Sequence, residues 1–347
     1  MTLIYFIIVL GVTVFIHELG HFIFAKKAGI YVYEFSLGMG PRLFKFKRKK
    51  DETEYSIRLF PIGGFVSMAG EDVEVDKSIP EEKQMYNKTW LQRFLTVIAG
   101  VMFNFLLAII LLFVVALNTG APQNKNYISE VSKGYPIEKT NIKKGDQILK
   151  VNNKKVKSQD MLTLALAINN GKEIKLTVLH ENNEKEVINV KPKLEKLDKE
   201  EVYRYGIVLE NKIERGIIPS IKYAFTKTFN LIEQMFMIIF YLITGKLSLN
   251  SLSGPVGIYN IVGESAKAGL ISIIYLIAYL CINVGFINLI PIPAFDGGRA
   301  LFLIIEKIRG KKVNPKIENT IHSIGLILLM ILMVFITFND ILRIFKW

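Results

Sequence analysis

MTLIYFIIVLGVTVFIHELGHFIFAKK, residues 1–27, is the stretch that decides the class of this protein. A hydrocarbon core about 30 Å thick needs about 20 apolar residues as a helix. The run 1–25 supplies that length before it meets Lys26 and Lys27. Inside it stand His17, Glu18 and His21. Ionisable residues are costly in such a span and point to function by default. Residues i and i+4 of a helix share a face, so both imidazoles look the same way and can hold one zinc ion, with Glu18 beside them to move a proton. Two of the four histidines in the chain lie in this one motif. No basic leader and no small-residue cleavage site is present, so the segment is expected to remain as an anchor.

Working outward, 347 residues with 51% hydrophobic content are unevenly arranged. Apolar segments recur at 94–117, 270–298 and 321–339, whereas 122–205 is polar and rich in lysine. That pattern excludes a single soluble domain, a disordered chain and an all-membrane transporter. Lys and Arg exceed Asp and Glu by 44 to 31, a net charge of +13. The lysines alternate with acids or flank apolar runs, and no zinc-finger spacing or RNA-binding signature accompanies them, so no nucleic-acid partner is expected. Cys281 is the only cysteine, which excludes an intrachain disulfide and a C-x-x-C zinc site. In its apolar run it reads as a small hydrophobe.

Charge sets the expected topology. Segment 26–93 carries Arg42, Lys45, Lys47, Arg48, Lys49 and Lys50, and such residues mark the cytoplasmic side. Within it, Glu54–Val66 alternates around Gly63 and Gly64 and reads as strands joined by a turn. Segment 217–244 is apolar but interrupted by Lys222, Lys227, Glu233 and Gln234. It could cross, or lie in the interface as an amphipathic helix. Arg299, Lys307, Arg309, Lys311, Lys312 and Lys316 follow the span at 270–298. They fall inside only if 217–244 does not cross. The expectation is therefore a polytopic α-helical membrane protein with four transmembrane helices and both termini outside. A cytosol-facing, membrane-associated β-hairpin or sheet and one external insert complete it. A reporter fused at Lys312 that reads as external would refute this topology.

A catalytic zinc needs a third protein ligand. His17 lies about 24 Å along its helix at 1.5 Å per residue, near the cytoplasmic side, so that ligand should sit at a similar depth on another span. Asp296 ends an outside-to-inside span and fits. His322, starting the last span, is the runner-up. Asp340 stands at the wrong end of that span, and His180, in the insert, reads as solvent-facing. Pro291 and Pro293 cannot continue helical hydrogen bonding, and irregular backbone at membrane depth is tolerated only where protein or water covers it. Asn283 and Asn288 bring amides that can bind extended backbone, and Gly297 and Gly298 permit a tight turn beside the ligand.

His17-Glu18-Leu19-Gly20-His21 together with Asn288-x-x-Pro291-x-Pro293-x-x-Asp296-Gly297-Gly298 resembles the site-2 protease family of intramembrane zinc metalloproteases. The resemblance extends to Phe35–Pro41, similar to a membrane-reentrant segment, and to Phe60–Val66, similar to the family's strand-and-turn loop. It also takes in Ser253–Ile258 and Ala99–Phe105, where Val101 replaces the usual proline. Phe295 stands where leucine is common and Arg299 where histidine is frequent. Gly134-x-Pro136 followed by Ile142–Asn152 resembles a PDZ domain, an α+β fold that can hold an extended peptide by strand addition.

The resemblance implies the bacterial PDZ-containing branch, which performs regulated intramembrane proteolysis in the inner (cytoplasmic) membrane, with the PDZ-like domain over 122–205 extracytoplasmic. Its implied substrates are single-span membrane proteins already trimmed by another protease, such as anti-sigma factors, and remnant signal peptides. The expected metal ligands are His17, His21 and Asp296 for Zn2+, with Glu18 as the proton carrier. Gly63, Gly64, Asn104, Asn283, Asn288 and Pro291 are the candidate substrate-binding residues. Three other classes are separable. A soluble zincin would not place its motif in a span, a noncatalytic PDZ scaffold would bind no metal, and a zinc transporter would need ionisable residues across several spans.

Overall fold

The computed structural model describes residues 1–49, 51–71, 77–169, 171–197, 200–249 and 252–345. Lys50, counted above among the basic residues, lies outside them. The helices are α1 (Thr2–Lys27), α2 (Trp90–Thr119), α3 (Gln159–Ile168), α4 (Ile217–Ile243), α5 (Pro255–Ala268), α6 (Leu270–Leu289), α7 (Asp296–Arg309) and α8 (Pro315–Phe345). Four of them are long and apolar enough to cross a membrane: α1, α2, α6 and the Lys316–Leu342 part of α8. The chain divides into two units, residues 1–115 with 249–347, and residues 116–248.

In the first unit, α1 stops where Gly29 takes φ +66° and the Ile30 N–H turns back to the Ala25 carbonyl, a left-handed stop that glycine adopts without steric cost. Two long strands follow, β1 (Val32–Lys47) and β2 (Glu54–Met68). They are more than the hairpin the alternation suggests. Residues 34–37 have partners on both sides: Phe35, Ser36 and Leu37 pair with Val66, Phe65 and Gly64 on one side, and with Tyr55, Ser56 and Ile57 on the other. Residues 42–47 pair in turn with 54–58. The sheet therefore has four segments in the order 64–68, 32–37, 54–58, 42–47. Among the described residues, 64–68 and 42–47 are the edges, and 54–58 is interior.

Glu34 ties these segments together. It is buried and accepts hydrogen bonds from Ser56 Oγ, Arg58 Nη2 at 2.8 Å and Arg42 Nη2 at 2.7 Å. Arg58 also donates to the Gly40 carbonyl and lies over the Phe65 ring. Burial alone would raise the Glu34 carboxyl, but the Ser56 and Arg58 hydrogen bonds and the arginine charges outweigh it and hold it below the ordinary glutamate range. A depressed carboxylate contributes stability that is present above its unfolded value of about 4.3 and is lost as pH falls through the folded value. Glu34→Gln is expected to lower stability by about 2 kcal/mol at neutral pH. Thermal unfolding in detergent between pH 3 and 7 should show a shallower acid limb in the variant. Parallel acid limbs would refute the assignment.

The sheet packs on α1 through Phe15, Phe22 and Phe35, and Ala25, Ile30, Val32, Val66, Met68, Val97, Ala300 and Leu303 share one core. At the foot of α2, Arg93 pairs with Glu306 and the Trp90 indole N–H donates to the Leu303 carbonyl, joining α2 to α7. The expected span 270–298 is not one helix. α6 ends at Leu289, and α7 begins at Asp296 after a non-helical stretch containing Pro291 and Pro293, as rings that supply no N–H require. Asp340 is buried in α8, and its Oδ2 accepts the Gly257 N–H at 2.9 Å in the first turn of α5. That contact accounts for the small residues of Ser253–Gly257: a Cβ on Gly254 would stand 2.9 Å from the same oxygen.

The second unit holds β3 (Ala121–Pro122), β4 (Ile128–Val131), β5 (Gln147–Val151), β6 (Lys154–Lys155), β7 (Ile174–Leu179), β8 (Lys185–Val190), β9 (Lys193–Leu197), β10 (Glu200–Arg204), β11 (Ile207–Leu209) and β12 (Ile213–Glu214). Its main sheet runs β6-β5-β7-β8, and β4 pairs with β11. Ile128, Ile137, Ile148, Leu162, Ile174, Leu176 and Val178 form the core. His180 is not solvent-facing as read from sequence. Nδ1 lies 2.9 Å from Asp146 Oδ2 and Nε2 3.1 Å from Glu186 Oε2. Partial burial would lower the ring's pKa, but these two hydrogen bonds outweigh it and raise it.

α4 belongs to this unit and is not among the four span-length apolar helices. Lys227 and Asp160 form an ion pair at 2.7 Å, and Ala224, Thr228 and Leu231 are buried on the same side. Ile218, Ile221, Phe225, Phe229, Phe236, Phe240 and Ile243 are exposed, at the three-, four- and seven-residue spacing of a single helical face.

Candidate metal centre

α1 carries His17 and His21 one turn apart, with ring centroids 4.8 Å apart. Their Nε2 atoms are 3.3 Å from each other. Asp296, the first residue of α7, brings its Oδ2 to 3.1 Å from His17 Nε2 and 3.3 Å from His21 Nε2. No other group of three histidine, cysteine or carboxylate side chains converges in this way among the described residues. Tetrahedral zinc with bonds of about 2.0–2.1 Å has ligand atoms about 3.3–3.4 Å apart, so the triangle has the dimensions of one face of such a site. Asp296 Oδ2 is buried yet makes no well-directed hydrogen bond. Two ring nitrogens and a carboxylate oxygen, all able to offer lone pairs, fit a divalent cation.

The loop before Asp296 is shaped by its sequence. Ala294 has φ +87°, a conformation rare for a residue with a side chain, and its N–H donates to His322 Nδ1 at 3.1 Å. His322, the runner-up ligand, is thus engaged with the loop and is not in the triangle. The loop folds back on the start of α7: a Cβ on Gly297 would lie 2.3 Å from the carbonyl oxygens of Leu289 and Ile290, and one on Gly298 2.5 Å from that of Ile292. Only glycine permits that approach. α8 closes the other side, since a Cβ on Gly325 would meet Pro293 at 2.6 Å.

The triangle opens into a cavity of about 380 Å³. Glu18, Gly63, Gly64, Asn288 and Asp296 line it together with Val14, Val66 and Val284. Gly64 belongs to the 64–68 edge, and a Cβ there would be 3.3 Å from Glu18 Cγ, so this strand passes directly beside Glu18. Glu71 and Arg299 also line the cavity and form an ion pair at 2.9 Å. Sequence reasoning noted Arg299 without a role and missed Glu71, whose approach depends on the whole path of the sheet.

Three expected substrate contacts are placed elsewhere. Asn283 donates to the Tyr279 carbonyl of its own helix at 2.9 Å, and Pro291 is not on the cavity wall. Asn104 is fully buried, its amide nitrogen 3.3 Å from His17 Nδ1. Thr96 and Gly100 of α2 stand against the two histidine rings. The Thr96 carbonyl is 2.9 Å from His21 Nδ1, and a Cβ on Gly100 would be 2.3 Å from His21 Nε2. Thr96 was not legible as a site residue because it acts through its main chain.

The model of peptidase family M50 matches residues 5–332. The zinc metalloprotease RasP of Bacillus licheniformis is 34% identical over 99% of this chain and 99% of its own length. The regulator of sigma-W protease RasP of Bacillus subtilis is 32% identical, again over 99% of both chains. A putative zinc metalloprotease of Clostridium acetobutylicum, CA_C1796, is 37% identical over 96% of each.

Proposed function

The chain belongs to peptidase family M50 and is a zinc metalloprotease of the membrane, and from that premise we propose that it hydrolyses peptide bonds within the transmembrane segments of single-span proteins. The observation that carries the reading is the His17, His21 and Asp296 triangle, two of whose corners lie within a helix long and apolar enough to cross a membrane. The substrate class is an anti-sigma-type membrane protein first shortened by another protease, with remnant signal peptides as a second class. The kinship with a regulator of sigma-W protease supports the former.

The site is that of a bacterial cytoplasmic-membrane enzyme. Both termini and the polar 122–215 insert lie outside, and the basic segments 26–50 and 299–316 lie inside, following the positive-inside rule. The 122–205 region acts as a PDZ-like module that holds or screens the substrate's external stub. α4 lies in the interface, its exposed isoleucine and phenylalanine face toward lipid.

His17, His21 and Asp296 would hold the zinc, which when bound would supply Lewis-acid chemistry toward a peptide carbonyl and water. Glu18 takes the proton from the attacking water and returns it to the leaving amine. A transmembrane helix hides its carbonyls in its own hydrogen bonds, so the substrate must be unwound. The 64–68 edge can offer backbone groups to an extended strand, and the Asn288 amide, which lines the same cavity, offers a donor and an acceptor.

The test is cleavage of a single-span model substrate by the purified protein in liposomes, with products mapped by mass spectrometry. Cuts inside the span, stopped by a chelator and restored by zinc, are expected. Cuts confined to soluble loops, or indifference to the chelator, would overturn the proposal.

A further inference from the structure

Each histidine of the triangle points one ring nitrogen at Asp296 and the other at α2. A neutral imidazole that gives its Nε2 lone pair to a metal carries its proton on Nδ1, and that N–H needs an acceptor to fix the tautomer. For His21 the acceptor is plain: Nδ1 lies 2.9 Å from the Thr96 carbonyl. For His17 the neighbour is the Asn104 amide, whose nitrogen is 3.3 Å from Nδ1. In that orientation Asn104 Oδ1 is buried with no hydrogen-bond partner, on a side chain with no exposed surface. A buried amide oxygen without a donor is costly, and an amide N–H facing an Nδ1–H is a donor against a donor. A half turn of the amide exchanges its two ends, so that Oδ1 faces the His17 Nδ1–H and the donor–donor conflict is removed.

We propose that Asn104 is a positioning residue for the metal site. Its Oδ1 accepts the His17 Nδ1–H, so that His17 presents Nε2 to the zinc. The assignment rests on the zinc reading above. It replaces the expectation that Asn104 touches substrate. Thr96, Gly100 and Asn104 are spaced four residues apart and form one stripe of α2 facing α1. The first serves His21, the last serves His17, and the glycine between leaves room for both rings.

The experiment compares the full-length protein with Asn104→Leu and Asn104→Asp, purified in detergent. Zinc retained per chain is measured across a graded chelator series, and thermal unfolding of the chelator-stripped proteins reports folding. Loss of an outer-shell partner costs about ten- to a hundred-fold in metal affinity. Asn104→Leu should therefore release zinc at a correspondingly lower chelator concentration, while Asn104→Asp, which keeps the acceptor, should hold zinc as the unaltered protein does. A purely structural role predicts the reverse order, since a buried carboxylate is harder to accommodate than leucine. Zinc retention by Asn104→Leu equal to that of the unaltered protein overturns the proposal. So does early release by Asn104→Asp, which decides the matter even if the leucine variant does not fold. If the unaltered protein takes up no zinc, the zinc reading itself fails.

Discussion

Glu18→Gln is expected to leave the protein folded, membrane-inserted and loaded with zinc, yet to reduce cleavage by about 10²–10⁴-fold, the scale of a lost general base and acid. Glutamine preserves the size and hydrogen-bonding reach of the side chain, but its amide cannot accept and return a proton. The geometry isolates that single property. Glu18 is not in the metal triangle, it lines the cavity, and the 64–68 edge passes beside its Cγ. The paired readout is zinc per chain and the cleavage rate of the liposome substrate. Loss of both together would mean that Glu18 supports the metal; full turnover would remove it from the chemistry altogether.

Gly100→Ala should have an effect of comparable size by a different route. A Cβ at this position would stand 2.3 Å from His21 Nε2 and 2.8 Å from His17 Cε1, distances that real contacts do not reach. Neither ring can step aside freely, because His21 Nδ1 is bonded to Thr96 and His17 abuts Asn104. One methyl group is thus expected to reduce bound zinc to below about a tenth of the normal amount and activity in proportion, since the two ring nitrogens no longer converge on one tetrahedral position. Helix propensity works the other way, alanine being about 1 kcal/mol better than glycine in a helix interior. A collapse of zinc content without a fall in helicity would therefore mark the clash. Gly11→Ala on α1 is the matched control, as nothing lies within 4 Å of its added methyl. Equal zinc in both variants would refute the argument.

The Asp296 loop shows how far a sequence can be read and where it stops. Pro291, Pro293, Gly297 and Gly298 announced a broken helix beside a ligand, because ring closure and the missing Cβ act locally whatever surrounds them. Asp296 converges with His17 and His21, at the depth expected from helix rise taken together with an outside-to-inside direction for its span. The role of His322 was not readable. Its distance from Ala294 depends on how α8 leans against Pro293, and no local preference fixes that lean. Asn104 teaches the same lesson. Sequence flagged it as special, but only its burial against His17 separates a side chain packed behind that histidine from one facing the cavity.

By itself, the sequence determined the class of protein, the span-length apolar segments and the pair of histidines on one helical face. Each follows from periodicity, composition or chain geometry, which are properties of a segment considered alone. Only the tertiary structure decided which segments of the β1–β2 sheet are its edges, which amide stands behind His17, and which carboxylates pair at the cavity or cap α5 from α8. These depend on contacts between residues tens to hundreds of positions apart, and such contacts are set by the simultaneous packing of several elements, not by the preference of any one.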